Sequence, residues 1–254
     1  MNGRVWREGL RSFAVGLCDL VFPPTCAFCE VPLSSDSESR GRWCSACAAT
    51  ILEPPTVRCR KCAARVAVTM RDDADCPWCR DHALRFDRTV TLGTYRDELR
   101  DAVLKQKRIH SDAPTRALGE MLWAREGGAL AKEQIDAVVP VPMHWRRRLR
   151  RGWNGPELTA ALLAHRLGVG DYPRLLRRSK ATKPQAGLSP TQRRENVRRA
   201  FTLRWGYRVA GAVVLLVDDV LTTGATCSEA AAALKRAGAA RVVVAVFGRA
   251  QGET

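Results

Sequence analysis

Four Cys-x-x-Cys pairs in the first third of the chain restrict its fold more than any other feature. Fourteen residues separate the first pair from the second, and 13 separate the third from the fourth. Two such pairs facing each other can supply four thiolates to one tetrahedral zinc ion. The sequence therefore predicts two structural zinc ribbons in tandem, with the ligands Cys26, Cys29, Cys44 and Cys47 in the first and Cys59, Cys62, Cys76 and Cys79 in the second.

The same cysteines admit two other interpretations. Disulfides suit a secreted chain, and an iron–sulfur cluster also takes thiolate ligands. The regular layout favours zinc over both, with the pairing of the knuckles inferred from their spacing. Large apolar side chains are scarce in this region, so the module is expected to depend on its metal to fold. Cys18 and Cys227 stand outside the pairs and are interpreted as buried thiols.

Composition and charge limit the classes of function. The chain has 254 residues, of which 46% are hydrophobic and 27% charged, a balance that excludes a fibrous or globally disordered protein. Its 42 Lys and Arg against 26 Asp and Glu give a formal net charge of +16. Such an excess indicates a polyanionic partner, and nucleic acid, a phosphorylated metabolite or an anionic membrane surface would each satisfy it.

The apolar segments are too short to cross a membrane. The longest purely apolar run has nine residues, 209–217, and ends at Asp218, whereas a bilayer span needs about 20. Arg4, Arg7 and Arg11 accompany an amphipathic helix expected near the N-terminus, but no small-residue cleavage site follows it. We expect a cytoplasmic protein with no integral membrane segment, whose first helix docks on its own chain in preference to a membrane.

Two domains are expected, at 1–85 and 86–254. After residue 85 the pattern alternates between strands and helices: strands at 89–95, 135–141, 212–217 and 241–247, and helices at 96–106, 114–125 and 226–237. Asn154 can cap a further helix that Gly168 ends, and Ser189 with Gln192 forms a capping box for a short basic helix. Continuous apolar strands are typical of a buried parallel sheet, so the second domain is predicted to be α/β.

The segment 213–226 carries the most specific chemistry. A buried strand ends in Asp218 and Asp219, and a turn of small hydroxyl residues then leads into a helix. Ligands of open parallel sheets bind at the carboxyl ends of the strands. The free N–H groups of a helix N-terminus hold phosphate, a glycine permits close backbone approach, and adjacent carboxylates accept from vicinal hydroxyls. These residues indicate a site for a ribose 5-phosphate.

This segment resembles the phosphoribosyl pyrophosphate motif of type I phosphoribosyltransferases: a strand, two acids, two variable residues and Thr-Thr-Gly-x-Thr. It lacks the lysine of a Walker loop and the three glycines of the dinucleotide fingerprint. Nearly the whole chain is similar to the ComF family, through the cysteine-rich start, the phosphate motif and the segments 139–144, 151–154, 184–189 and 194–197. The resemblance implies a type I phosphoribosyltransferase-like parallel sheet flanked by helices, preceded by a small zinc-ribbon module.

The resemblance also implies roles for individual residues. Asp218 and Asp219 would bind the ribose hydroxyls of phosphoribosyl pyrophosphate, and Mg²⁺ would come with the pyrophosphate. The 5-phosphate would be held by the loop Thr222, Thr223, Gly224, Ala225 and Thr226. The pyrophosphate would be held by the loop Val141, Pro142, Met143 and His144.

Three departures from the related sequences bear on catalysis. The family pattern has glutamine where Gly155 stands and phenylalanine where Gln106 stands. Purine-salvage enzymes place a carboxylate at the position of Thr222, where it handles the proton of the base. The sequence therefore names no acceptor and no catalytic residue, and the expected activity is transfer or hydrolysis of the 5-phosphoribosyl group.

Basic residues leave a second class of function open. The pyrophosphate loop is followed by five arginines that could face a diphosphate or a nucleic-acid backbone: Arg146, Arg147, Arg148, Arg150 and Arg151. Eleven further Lys or Arg and one acid lie within 174–208, where a solvated basic face is the ordinary explanation. The alternative function is a competence accessory protein for DNA uptake, which binds single-stranded DNA and a helicase and uses the phosphoribosyl site as a sensor. In a third hypothesis the zinc module is chiefly an interaction platform.

Overall fold

A computed structural model describes residues 24–33, 42–68, 75–80, 84–108, 112–143, 154–179 and 189–251. The chain divides into two compact units, Met1–Thr50 and Ile51–Thr254. The second cysteine group and the α/β sheet both lie in the second unit, and the sequence-based boundary at residue 85 stays a prediction. The expected N-terminal helix, Cys18, His144 and the five arginines after it lie outside the described residues.

The described helices and strands follow the order expected of an α/β domain. They are α1 (Ser45–Ile51), α2 (Pro77–Arg80), β1 (Arg88–Thr94), α3 (Asp97–Arg108), α4 (Ala113–Ala131), β2 (Ala137–Pro140), α5 (Gly155–Leu167), β3 (Gly170–Asp171), β4 (Leu176–Arg178), α6 (Pro190–Val197), β5 (Phe201–Leu203), β6 (Val213–Val217), β7 (Val220–Leu221), α7 (Ala225–Arg236) and β8 (Arg241–Arg249).

A parallel sheet forms the centre of the second unit. Its strand order is β1-β8-β6-β2-β3, and β7 also pairs with β8. All of these pairings are parallel. The predicted fold class, a phosphoribosyltransferase-like parallel sheet flanked by helices, is confirmed. No helix in the described ranges is long and apolar enough to cross a membrane.

Continuous apolar runs place β6 and β8 in the core. Four of the five residues of β6 are buried, and so are eight of the nine residues of β8. Burial on both faces of a parallel sheet explains why these strands do not alternate with polar residues. Small side chains such as Ala230 and Ala231 bring α7 close to one face, where Leu216 and Val244 join the same core cluster.

The predicted helix ends are confirmed except for one side-chain cap and one C-terminus. Gly168 ends α5 with a left-handed backbone (φ 71°), and Ser189 with Gln192 forms the predicted capping box of α6. Asn154 is the N-cap residue of α5, but its side chain accepts no capping hydrogen bond, and its Nδ2 donates to the Val141 carbonyl (3.4 Å). α4 runs six residues past its predicted end through Gly127, whose missing side chain leaves room for Trp123.

Several short elements carried no usable sequence signal. β4 and β5 form a separate antiparallel pair of three residues each. β3 and β7 have two residues each. Runs this short contain too few residues to display a periodic pattern, so the sequence did not predict them.

Candidate functional site

The two adjacent carboxylates lie where the central strand ends. The N–H of Asp218 donates to the carbonyl of Ala245 (3.0 Å), and the N–H of Phe247 donates to the carbonyl of Asp219 (3.0 Å). The N–H of Asp219 also donates to Oδ1 of Asp218 (2.9 Å). Pairing with β8 thus continues past the end of β6 and fixes both acids at the carboxyl edge of the sheet, where such sheets bind ligands.

Gln106 orients the second carboxylate, and sequence reasoning assigned it no role. Its Nε2 donates to Oδ1 of Asp219 (3.0 Å), and its Oε1 accepts from Oγ1 of Thr115 (3.0 Å). Gln106 is 1% exposed and Thr115 is fully buried. A buried glutamine held at both ends has few alternative rotamers, so it fixes the position of Asp219. The sequence signal for it was the replacement of the family's phenylalanine by a polar residue at this position.

Gly155 allows the start of α5 to approach this carboxylate closely. A Cβ at Gly155 would lie 3.1 Å from Oε1 of Gln106 and 3.2 Å from Oδ1 of Asp219. Two departures from the family pattern, at positions 106 and 155, therefore meet at one point in the fold. The side-chain amide that is missing at position 155 is supplied next to Asp219 by Gln106.

The predicted phosphate loop is a tight turn between β7 and α7. Gly224 has a left-handed backbone (φ 75°), and a Cβ there would lie 2.8 Å from Cδ2 of Leu84. The backbone conformation therefore favours glycine, and a larger residue would also have to displace the end of the Leu84 side chain. Oγ1 of Thr223 accepts from the N–H of Ala225 (3.4 Å), which tightens the turn at the start of the twelve-residue helix α7. The first N–H groups of this helix and its dipole favour a bound anion.

Arg249 links the phosphate loop to the second cysteine group. Its Nη1 donates to the carbonyls of Leu221 (3.1 Å), Thr222 and Ala250, and its Nε donates to the carbonyl of Cys62 (2.9 Å). The guanidinium carbon also lies 5.5 Å from the ring centroid of Trp78. Arg249 is only 4% exposed. A single buried guanidinium therefore contacts both the phosphate loop and the second cysteine group. The sequence did not predict this role.

The start of the predicted pyrophosphate loop lies beside the acid pair. The N–H of Val141 donates to the carbonyl of Val217 (2.8 Å), the residue before Asp218. Val141 is buried, and Pro142 and Met143 are half-buried. The structure thus brings this part of the predicted loop to the carboxyl edge of the sheet.

The eight paired cysteines form the two predicted groups of four. In each group the four sulfurs lie within 4.8 Å of one another. Individual Sγ–Sγ distances are 3.7 Å for Cys29 and Cys44 and 3.6 Å for Cys62 and Cys76. Tetrahedral zinc with bonds of about 2.3 Å requires sulfurs about 3.8 Å apart. Both groups could therefore hold zinc, and each contains the four cysteines that the spacing groups together.

The environment of the thiols differs within the groups. Burial opposes ionisation of Cys26, but N–H groups of Cys29, Phe28 and Cys44 outweigh it and lower its pKa to about 6. Burial and the neighbouring Cys59 together raise the pKa of Cys79 to about 12, although a hydrogen bond with Cys62 lowers it. Thiols crowded in this way give up their protons when a cation binds, so metal affinity falls at low pH.

Cys227 is a buried thiol, as predicted. It is 1% exposed, and its Sγ donates to Oδ2 of Asp218 (3.6 Å). Burial and the negative charge of Asp218 raise its pKa well above the usual range. A thiol kept protonated in this way is a hydrogen-bond donor to the acid pair and not a nucleophile.

Comparison with known proteins agrees with this arrangement. The family described as phosphoribosyl transferase domain matches residues 159–253. The DNA utilization protein YhgH of Salmonella typhimurium is 33% identical over 230 residues, 89% of this chain and 96% of the relative. The protein of that name in Escherichia coli (strain K12) is 32% identical over 232 residues, again 89% and 96%. Competence protein F of Haemophilus influenzae is 31% identical over 183 residues, 69% of this chain and 78% of the relative.

The fold, the site and the comparisons together define the class of protein to which this chain belongs. A parallel sheet whose central strand ends in an acid pair and a Thr-Thr-Gly turn makes this a phosphoribosyltransferase-like protein. Two groups of four cysteines accompany that domain. The chain belongs to the ComF family.

Proposed function

We propose that this protein binds magnesium-bound phosphoribosyl pyrophosphate and transfers or hydrolyses its 5-phosphoribosyl group. The observation that supports this most is the convergence of three features at one edge of the sheet. They are the acid pair after β6, the 222–226 turn before α7, and the start of the 141–144 loop. Each feature offers the chemistry that one part of this ligand needs.

In this proposal each residue has a simple task. Asp218 and Asp219 accept hydrogen bonds from the ribose hydroxyls, with Asp219 held by Gln106. The turn and the first N–H groups of α7 hold the 5-phosphate. As the bond between C1 and the pyrophosphate oxygen breaks, pyrophosphate leaves with the electron pair and C1 becomes oxocarbenium-like. A nitrogen acceptor or water then attacks C1 and releases its proton to solvent. Mg²⁺ would supply positive charge to neutralise the leaving group.

The two cysteine groups are assigned structural zinc. Four-sulfur coordination leaves no open position, which is typical of structural and not catalytic zinc. The second site would stabilise the surface on which the phosphate loop rests, through Arg249 and Trp78. Thiolate ligands persist in a reducing compartment, and we assign the protein to the cytoplasm.

Isothermal calorimetry with magnesium and phosphoribosyl pyrophosphate tests the binding step. Asp219→Asn keeps the shape of the side chain but removes its charge, and we expect affinity to fall by about 30- to 150-fold, equivalent to about 2–3 kcal/mol. Asp101→Asn is the matched control, because its side chain is 76% exposed and lies on the outer part of α3. Unchanged affinity in Asp219→Asn would overturn the proposal.

Turnover is tested by the release of pyrophosphate from the zinc-loaded protein. A panel of nitrogen bases and single-stranded DNA is added in turn. Acceptor-dependent release establishes a transferase and identifies its substrate, whereas release without an acceptor establishes hydrolysis. If phosphoribosyl pyrophosphate binds but pyrophosphate is not released under any condition, the protein is not a transferase or hydrolase, and the site acts as a ligand sensor.

A role in DNA uptake is the second candidate. The similar proteins carry the names DNA utilization protein and Competence protein F. A net charge of +16 and the arginines at 146–151 also suit a nucleic-acid backbone. In this role the protein would bind single-stranded DNA and a helicase, with the phosphoribosyl site acting as a sensor.

Salt dependence tests the DNA-binding role. Replacing Arg146, Arg147 and Arg148 together by Ala removes up to three phosphate contacts, so the slope of log affinity against log salt should shrink by up to about 2, at about 0.7 per contact. The same variant is titrated with phosphoribosyl pyrophosphate to separate the two ligands. A slope equal to that of the natural protein excludes these arginines from the DNA surface.

A further inference from the structure

A cavity lies in the Ile51–Thr254 unit, between the second cysteine group, β1 and α4. Its volume is about 660 Å³, within the size range of small-molecule sites. Thr56 and Arg60 line it from the cysteine module, Arg88 from β1, and Arg125 from α4. None of the predicted phosphoribosyl-site residues is among its lining residues.

Positive charge dominates the lining. Four arginines, at positions 58, 60, 88 and 125, share the cavity with a single carboxylate, Glu126. The side chains of Arg58, Arg88 and Arg125 are only 14%, 23% and 21% exposed, which weakens screening by water. Crowded cations of this kind attract an anion.

The arginines are held in place by the surrounding fold. Arg58 pairs with Glu53 and donates to the carbonyl of Ala63 (2.9 Å), while Arg88 pairs with Glu133. Burial lowers the pKa of Arg58, Glu53 opposes this, and the charges of Arg125 and Arg65 lower it further. These ion pairs orient the guanidinium groups and neutralise part of their charge, and a bound anion would offset the repulsion that remains between the arginines.

The remaining lining suits the other parts of a nucleotide. Leu52, Pro55 and Ala124 offer accessible apolar surface on which a base can pack. Oγ1 of Thr56 is buried and has no hydrogen-bond partner among the described residues. A buried hydroxyl without a partner is costly, and a ligand oxygen or amine at this position would satisfy it.

We propose that this cavity binds a nucleoside phosphate, with the phosphate against Arg60 and Arg88, the base on the apolar side of the cavity, and Thr56 hydrogen-bonded to the ligand. The site is distinct from the phosphoribosyl site and does not depend on it. A nucleoside phosphate can come from a free nucleotide or from one unit of a single strand. The arginines and the apolar surface suit both sources, so the experiment distinguishes them.

The probes are chosen to avoid the phosphoribosyl site. Thymidine 3′-monophosphate has neither a 5′-phosphate nor a 2′-hydroxyl, and an oligothymidylate of about 15 nucleotides with a free 5′-hydroxyl represents the strand. Both are titrated against the full-length zinc-loaded protein by calorimetry. Phosphoribosyl pyrophosphate affinity is measured separately on each variant, so failure of the proposed function does not affect this test.

Arg60→Ala is the first variant, because this side chain is exposed and its removal should not disturb folding. Arg88→Gln is the second, since Glu133 keeps its contact with Arg241 (2.6 Å). Thr56→Val removes the hydroxyl at nearly constant volume. We expect each to lower affinity for the bound probe by about 3- to 10-fold. Arg236→Ala, which removes an exposed arginine at the end of α7, is the charge-matched control and should change it by less than about 2-fold.

Binding of the mononucleotide, weakened by Arg60→Ala and not by Arg236→Ala, supports a free-nucleotide site. Binding of the oligonucleotide alone, with the same pattern among the variants, supports the site with a strand as its source. Absence of binding of either probe overturns the proposal. Equal losses in Arg60→Ala and Arg236→Ala also overturn it, because they would indicate nonspecific charge attraction.

Discussion

Arg249 connects the phosphate loop to the second cysteine group, and replacing it tests whether the two behave as one structural unit. Its guanidinium donates to the carbonyls of Cys62, Leu221, Thr222 and Ala250. Arg249→Met keeps much of the apolar volume and removes every one of these donors. The substitution therefore separates the loop from the cysteine module without deleting either.

The size of the effect follows from these contacts. A hydrogen bond from a charged donor contributes about 1.5–3 kcal/mol, and a broken buried network typically costs about 3–5 kcal/mol in total. Thr222 and Ala250 are half-buried, so water can partly replace the lost donors. We therefore expect the free energy of unfolding to fall by about 3–4 kcal/mol. Affinity for phosphoribosyl pyrophosphate should fall as well, because the Thr222 carbonyl loses its support.

Urea unfolding of the zinc-loaded protein measures the stability change, and calorimetry measures the ligand affinity. Arg241→Met is the matched control: it lies at the opposite end of β8, and its side chain is 47% exposed in an ion pair with Glu133. Glu133 is 7% exposed but keeps its ion pair with Arg88, so the loss of the half-exposed Arg241 should cost about 1 kcal/mol. Equal losses in the two variants would refute the reasoning. Unchanged ligand affinity in Arg249→Met would show that the loop does not depend on this arginine.

Three further predictions concern the acid pair, the metal and pH. Gly155→Gln and Gln106→Phe should each weaken phosphoribosyl pyrophosphate binding, and the double variant should recover most of the lost affinity. Losses that simply add in a double-mutant cycle measured by calorimetry would contradict this. Cys59→Ser should reduce bound zinc from two ions per chain toward one by elemental analysis, and iron in the natural protein would reject the zinc assignment. Burial opposes ionisation of Glu53, but the N–H of Thr94 and the charge of Arg58 outweigh it and hold its pKa below the usual range. The stabilisation by Glu53 is therefore present above its unfolded pKa of about 4.3 and disappears as pH falls through the folded pKa. The loss of stability caused by Glu53→Gln, measured by urea unfolding, should therefore become smaller in acid. A loss that does not change with pH would contradict this.

The parts of the fold that depend on local pattern were predictable from the sequence. Five-residue β6 is a continuous apolar run, and nine-residue β8 contains such a run at 242–247. The cysteine groups were predictable because ligand spacing alone sets which thiols can meet. The 222–226 turn was predictable because its glycine and hydroxyl residues are adjacent in the chain.

Contacts between distant segments could not be predicted in this way. Arg249 lies 187 residues from Cys62, and Gln106 lies 113 residues from Asp219. Nothing in the residues around Arg249 distinguishes a buried arginine from an exposed one. α4 likewise passes through Gly127, where local propensity favours an end, because tertiary packing of Trp123 and Leu130 outweighs that preference.

Positions 106 and 155 illustrate the physical reason. Considered alone, Gly155 lacks the side-chain amide of the family's glutamine, and Gln106 places a polar group where the family has a phenylalanine. In the fold a Cβ at position 155 would lie 3.1 Å from Oε1 of Gln106, and the amide of Gln106 reaches Asp219 through space that any side chain at 155 would reduce. We therefore expect each replacement to weaken the site when made alone and the two replacements to be compatible when made together. A site defined by such pairs changes through coupled replacements, so one departure from a family pattern does not by itself indicate that the ligand contact has been lost.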